Sequence, residues 1–225
     1  MIDKEINKII FKDLFNKKNL TILDVGTYDG RDSLEFSKIF PNSQIYSFEA
    51  DKRSINLFKK ISGNIDNIIL VETALSNIDG EIEWYASDSK TRRHYEFQNE
   101  WSASSSLKKP DNHLNIFKDI HFYKNKVKSM KLDTWLSQNP NIEQIDIMWV
   151  DVNGGEEEFL EGGLNTISNK VKYLYIEFNA TNNKKLYKEC FTKEDIKSKL
   201  PHFEECGIYN FMGNFGNILL KNKSI

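Results

Sequence analysis

The chain has 225 residues, of which 39% are hydrophobic and 28% charged, and its formal net charge is −2. That composition supports a sizeable buried core and excludes a globally basic nucleic-acid binder or a polyacidic tail. No run approaches the roughly 18 apolar residues of a membrane span, and MIDKEINKIIFKDLF lacks the apolar stretch of a signal peptide, so a cytoplasmic protein is expected.

Ile6, Ile9, Ile10, Leu14 and Phe15 recur at helical spacing and predict an amphipathic helix over 3–16. A short buried strand follows at 21–25, then a helix over 31–40 that stops at Pro41. A second strand is expected at 43–50, a helix at 51–61 with Asp51 near its start, and a third strand at 67–75. Asp79-Gly80 is a turn signal, and the alternating EIEWYAS after it suggests a hairpin. Residues 87–125 are polar, dotted with aromatics and without period, a long loop of the functional kind. Regular pattern resumes at 127–138, a strand entering a helix, and at 144–152, an apolar run with the composition of a central parallel strand. A helix over 156–167 is expected to break at Gly162-Gly163, a strand follows at 172–178, and a helix at 191–200 starts from Thr192 with Asp195 three residues on. The C-terminal segments FEECGIYNF and GNILLKN read as a closing antiparallel pair.

This order, strands alternating with helices around one insertion, predicts an α/β fold: a doubly wound, Rossmann-like, mostly parallel sheet of seven strands with an antiparallel C-terminal pair. Residues 1–225 read as one domain carrying an insertion at about 87–125. Cys190 and Cys206 are too few and too far apart for a disulfide framework or a zinc knuckle and read as reduced thiols.

The stretch LDVGTYDG joins the first strand to the first long helix, where open α/β sheets bind ligands. Gly26 has no downstream Lys-Ser/Thr pair, which excludes a P-loop, and D-x-G-x-x-x-G is not the G-x-G-x-x-G of a dinucleotide loop. Asp24 and Asp29 would repel a pyrophosphate and suit a ligand carrying an ammonium or sulfonium, such as S-adenosyl-L-methionine. Glu49, 25 residues after Asp24, ends the second strand where an acid takes both hydroxyls of a ribose. Thr27, Tyr28, Gly30, Asp32, Ser33 and Ala50 complete the expected cofactor surroundings. Reversal of Asp29 to Lys is expected to abolish cofactor binding and leave the fold intact.

From about residue 20 to 180 the chain resembles the FkbM-type methyltransferases of the class I S-adenosylmethionine-dependent superfamily. The resemblance rests on ILDVGTYDG, YSFEAD, ETALSNIDGEIEWY, WSASSSL, VKSMKLDTWL and IDIMWVDVNGGEEEFLEGG. It implies the class I methyltransferase fold, with Asp24, Gly26 and Gly30 around the methionine part, Glu49 on the ribose, Ala74 and Leu75 beside the adenine, and Asp151 facing the methyl group. It also implies a bacterial surface glycan as the setting. Two positions depart from the family's K-x-D-x-E-G-x-E stretch: its Lys is Trp149 here and its first Glu after the Asp is Asn153.

Methyl transfer to an alcohol needs an oriented hydroxyl and a base for its proton. Asp151 is the first candidate for that role; His94, and after it His113 and His121, are alternatives. The insertion is expected to bind a small acceptor, a sugar, nucleotide-sugar or phosphorylated unit, through Arg92, Tyr95, Trp101, Ser104 and Lys108. Asn153, Glu177 and Asn179 stand at the same end of the sheet. Asp151 with Glu177 could hold a divalent metal, but no third ligand stands out. An NAD-dependent oxidoreductase and a non-catalytic protein that keeps the cofactor fold are the competing readings.

Overall fold

The computed structural model describes residues 6, 8–15, 19–94, 100–179, 185–213 and 215–225. In chain order its elements are α1 (Ile10–Leu14), β1 (Thr21–Val25), α2 (Arg31–Ile39), β2 (Gln44–Phe48), α3 (Lys52–Ile61), β3 (Ile68–Val71), β4 (Ala74–Leu75), β5 (Gly80–Ser89), α4 (His113–Ile116), β6 (Ile120–Met130), α5 (Leu132–Ser137), β7 (Ile145–Val150), α6 (Glu156–Lys170), β8 (Val171–Asn179), α7 (Lys193–Lys199), β9 (Phe203–Tyr209) and β10 (Phe215–Asn222).

Seven strands form one sheet in the order β3-β2-β1-β7-β8-β10-β9. β3, β2, β1, β7 and β8 are mutually parallel, whereas β10 runs antiparallel to both β8 and β9. The expected class I methyltransferase sheet is therefore present, with its antiparallel C-terminal pair. From β1 the chain winds outward through β2 and β3, then returns to lay β7 on the other side of β1. That reversal opens a crevice outside the carboxyl ends of β1 and β7, the position where such sheets bind ligands.

The sheet is buried on both faces. Leu23, Val25, Met148, Val150, Leu174 and Ile176 pack against Leu132, Trp135, Phe159 and Ile196 of α5, α6 and α7. Ile22, Ile147, Trp149 and Tyr173 pack on the opposite face against Phe11 of α1 and Phe36 of α2. The near-continuous apolar run of β7 follows from this double burial.

Four expectations change. The N-terminal helix is described only over Ile10–Leu14. The run at 67–75 is two strands, because β4 leaves β3 and pairs with β6 in a separate three-stranded sheet, β4-β6-β5. Gly80 opens no hairpin: β5 pairs antiparallel with β6 over ten positions from Gly80–Ser129 to Ser89–Ile120. The ends of the 87–125 segment are thus strands, and α4 lies between them. Finally, α6 runs unbroken through Gly162 and Gly163. A Cβ at Gly162 would lie 1.8 Å from the Ser76 carbonyl oxygen, and one at Gly163 would lie 2.8 Å from the Leu132 side chain. These glycines let α6 approach its neighbours; they do not end it. α7 carries the capping box foreseen at Thr192 and Asp195.

Candidate active site

The site begins where β1 and β7 end together, Val25 beside Val150. Gly26 turns out of β1 with φ +81, and a Cβ there would sit 1.8 Å from the Asp151 carbonyl oxygen. Two strand ends pressed this closely, in a left-handed conformation, require glycine. The Gly26 and Thr27 amides both donate to the Phe48 carbonyl, and the Tyr28 amide donates to Glu49 Oε2 at 3.0 Å. Beneath the loop, Asp24 is 1% exposed. Its Oδ2 accepts from Thr27 Oγ1 at 2.7 Å and Ser33 Oγ at 2.5 Å, and Ser33 reaches Ser47 at 2.6 Å. Burial, with Asp32 adding repulsion, raises the Asp24 pKa to about 7 against the pull of those hydroxyls. Asp24 shapes the loop from below and is not in the wall of the cleft.

The cleft lies outside the carboxyl ends of β1 and β7. Val25, Gly26, Tyr28, Phe48, Glu49 and Ala50 form one side, and Thr73, Ala74, Leu75 and Trp84 form an apolar end. Ser102, Ala103, Ser105 and Leu107 form the roof, with Asp151, Val152 and Asn153 at the floor. Glu49 Oε1 accepts from the Ala50 and Asp51 amides at 2.7 Å each. Burial raises its pKa to about 8, with Asp51 adding to the rise. Among the described residues the buried Trp84 Nε1 and Tyr28 hydroxyl have no hydrogen-bond partner. An apolar slot with an indole donor that has no partner among the described residues, beside an acid at a strand end, has the chemistry to take an adenosine group, whose base Ala74, Leu75 and Trp84 would hold and whose ribose Glu49 would hold.

Asp151 is solvent-exposed where it opens to the cleft, yet protein atoms crowd around it. That setting, followed by Asp32, raises its pKa to about 6, while the Asn153 backbone amide opposes the rise. Asn153 takes a left-handed φ of 52, which Asn tolerates better than Glu, and its Nδ2 donates to the Ala103 carbonyl at 3.2 Å. One residue past the Val150–Ile176 pair, Glu177 flanks Asp151. Burial, then Asp151 and Glu156, push its pKa well above the carboxylate range. Glu156 is fully buried at the start of α6; it accepts from the Gly154 amide at 3.1 Å, and burial raises it to about 8. Asn179 is buried, and its side-chain amide has no hydrogen-bond partner among the described residues. Among the described residues no three His, Cys, Asp or Glu are grouped as a metal site.

The expected cofactor and acceptor residues separate into several groups. Gly26, Tyr28, Glu49, Ala50, Ala74, Leu75, Asp151 and Asn153 meet in the cleft. Thr27, Ser33 and Asp24 form the support behind it. Gly30 packs on Phe58, where a Cβ would lie 2.5 Å from the ring. Asp29 does not face the cleft: it is buried, accepting from Arg31 N at 3.2 Å and Arg31 Nε at 2.9 Å, and lying 2.9 Å from His94 Nε2. His94 is therefore placed against Asp29 and away from Asp151. Asp32 is bonded to Lys8.

In the insertion, Arg92 is bound to Asp119 at 2.7 and 3.2 Å, and Lys108 bridges Glu157 at 3.0 Å and Glu158 at 2.7 Å. Trp101 Nε1 donates to Ser104 Oγ, and the Ser104 carbonyl accepts from the Tyr187 hydroxyl. Neither Trp101 nor Ser104 lines the cleft, although Ser102, Ala103 and Ser105 do. Tyr95 lies outside the described residues. His113 is buried among Phe117, Phe122 and Tyr187, and burial, then Arg92, lowers its pKa to about 4. His121 stands more than half exposed on β6. Sequence reasoning did not single out Trp84 and Thr73; the inward alternation of Ile82, Trp84 and Ala86 on β5 is the signal that marks the former.

The sheet and its switch-point loop are those of the class I methyltransferases. The chain belongs to the FkbM family: the model of the methyltransferase FkbM domain matches residues 24–207. It is 30% identical over 213 residues to the 2-O-methyltransferase NoeI of Sinorhizobium fredii (strain NBRC 101917 / NGR234), a match covering 94% of this chain and 83% of that protein. The structure of methyltransferase FkbM from Methylobacillus flagellatus KT superposes with a TM-score of 0.53 at 11% identity, over 93% of this chain and 45% of that one. The Methanococcus jannaschii fibrillarin pre-rRNA processing protein superposes with a TM-score of 0.51 at 14% identity, over 97% of this chain and 70% of that one. Family membership sets aside the oxidoreductase and non-catalytic readings: the protein is an S-adenosylmethionine-dependent methyltransferase. Among the described residues no helix is long and apolar enough to cross a membrane.

Proposed function

We propose that the protein is an O-methyltransferase acting on a hydroxyl of a small acceptor, a sugar unit of a bacterial surface glycan. The observation that carries the reaction type is Asp151, whose carboxyl opens into the cleft from the end of β7. The resemblance of this chain to a 2-O-methyltransferase supports oxygen as the methylated atom; the glycan setting rests on the resemblance of the motifs.

When bound, S-adenosylmethionine supplies a methyl group on a sulfonium. The protein's own part is to hold the acceptor oxygen in line, exclude water and take up its proton, and positioning of this kind contributes up to about 7–11 kcal/mol in well-oriented systems. With a pKa of about 6, Asp151 is mainly ionised at pH 7 and able to accept that proton. Glu177 and Asn179 lie beyond it on β8, with Asn179 offering an unused amide to acceptor hydroxyls. The cations expected to hold a phosphate, Arg92 and Lys108, are each engaged by carboxylates, which favours an uncharged hydroxylated acceptor over a phosphorylated one. On this reading residues 1–225 act as one domain, and the 87–125 insertion supplies the acceptor's surroundings.

The test is methyl transfer from labelled cofactor to a panel of sugars, nucleotide-sugars and oligosaccharides, followed by locating the methyl group. Asp151→Asn should lower kcat about 10²–10⁴-fold while weakening cofactor binding far less. Transfer to nitrogen or carbon, or near-normal turnover of the variant, would refute the reading.

A further inference from the structure

Lys8 lies outside the cleft, yet it is 3% exposed, and two carboxylates grip its ammonium. Lys8 Nζ donates to Asp32 Oδ1 at 2.5 Å and to Glu35 Oε2 at 2.8 Å. It stands 4.3 Å from the centre of the Trp149 ring and 5.5 Å from that of Phe36. Trp149 is itself stacked on Tyr175 at 3.8 Å, so the cation rests on a rigid aromatic floor. Around the lysine, Ile6, Phe11 and Phe15 are buried in the cluster that holds Phe36, Trp149 and Tyr173.

The two carboxylates that Lys8 grips are three residues apart on one face of α2, in and just after its first turn. The same turn supplies Ser33, which bonds Asp24 and Ser47 behind the glycine loop. We propose that Lys8 is a positioning residue for methyl transfer: by clamping Asp32 and Glu35, the N-terminal segment fixes the first turn of α2 and thereby the loop that carries S-adenosylmethionine. Charge gives the clamp its direction. Asp24, Asp29, Asp32 and Glu35 crowd one loop and one helix start, and Asp32 raises the pKa of both Asp24 and Asp151 whereas Lys8 lowers that of Asp24. Without the ammonium, Asp32 repels the carboxylates that shape the site.

This rests on the cofactor assignment, which titration of the wild-type chain with S-adenosylhomocysteine checks separately. The same titration is then run on Lys8→Met, Lys8→Arg, Asp32→Asn and the Lys8→Met/Asp32→Asn double variant, with folding monitored by circular dichroism. Loss of the ammonium in Lys8→Met should weaken binding about 10-fold, Lys8→Arg should keep most of the affinity, and the Lys8→Met effect should shrink several-fold on the Asp32→Asn background, where only Glu35 is left to clamp. A folded Lys8→Met chain that binds like wild type overturns the proposal, as does a loss that persists undiminished beside Asp32→Asn, which would mark a packing role. If Lys8→Met does not fold, the double variant decides against Asp32→Asn alone: a gap of a few-fold or less supports the clamp, and a 10-fold gap overturns it.

Discussion

Asp29 holds the glycine loop to the insertion. Its buried carboxylate takes the Arg31 amide and partly exposed side chain on one oxygen each and meets the buried His94 at 2.9 Å. The sequence alone makes it a ligand for the cofactor's ammonium, so that reversal to Lys would spare the fold. The geometry gives a different outcome. Asp29→Lys would set a third basic group beside Arg31 and His94 and put an ammonium where a buried carboxylate stood, and a buried charge without a partner is destabilising. Cofactor binding should be lost together with stability: a lower unfolding midpoint and faster proteolysis in the 87–125 segment. Asp29→Asn, which keeps a carbonyl acceptor for Arg31, should be milder. A Lys variant that melts and digests like wild type would return Asp29 to a purely ligand-facing role.

At the scale of elements, the roof of the cleft depends on a few side-chain bonds between the insertion and the sheet. Ser106 Oγ donates to the Asn153 carbonyl at 2.6 Å, Asn153 returns a bond to Ala103, and Ser105 Oγ reaches Asp51 Oδ2 at 3.2 Å. Ser106→Ala should cost about 1 kcal/mol of stability, a typical net hydrogen bond. Because that bond joins the roof to the floor at Asp151, the variant should raise the acceptor KM more than the cofactor Kd; equal effects on both would show that the roof does not discriminate between them. The Ser-rich run was legible as a motif, but its place over the cleft was not. β1, its loop and α2 could be read from local signals, an apolar run, glycines and a helix pattern. The β5–β6 pairing could not, because its partners are separated by a polar segment and register between distant strands leaves little trace in either one. Gly162-Gly163 reads locally as a break, and only the Ser76 carbonyl and Leu132 packed against α6 explain why glycine is needed inside a helix. Lys8 was invisible for the same reason: its meaning comes from Asp32, Glu35 and Trp149, far along the chain.

At the scale of the whole molecule, the site concentrates buried acids whose pKa values are raised: Asp24 to about 7, Glu49 and Glu156 to about 8, and Glu177 further. Burial is the leading cause in each, so the folded state binds these protons more tightly than the unfolded chain, whose carboxyls titrate near pH 4. Between pH 4 and the folded values the native protein therefore carries more protons than the unfolded one, and stability falls as pH rises. His113, lowered to about 4, acts in the opposite sense but only below its unfolded value of about 6.5. The window from pH 6.5 to 8.5 thus isolates the acids. Without cofactor, the unfolding midpoint should be several degrees higher at pH 6.5 than at 8.5, each kcal/mol being worth about 2–4 °C in a chain of this size. A ligand bringing an ammonium and a sulfonium favours the ionised acids, so the rise in midpoint on saturation with S-adenosylmethionine should be larger at pH 8.5, narrowing the gap. Scanning calorimetry at both pH values, with and without cofactor, checks both signs. An apo midpoint that climbs steadily from pH 6.5 to 8.5 would mean that these carboxyls are already ionised in the free protein, and that the cleft is wetter and less acid-repelling than its burial implies.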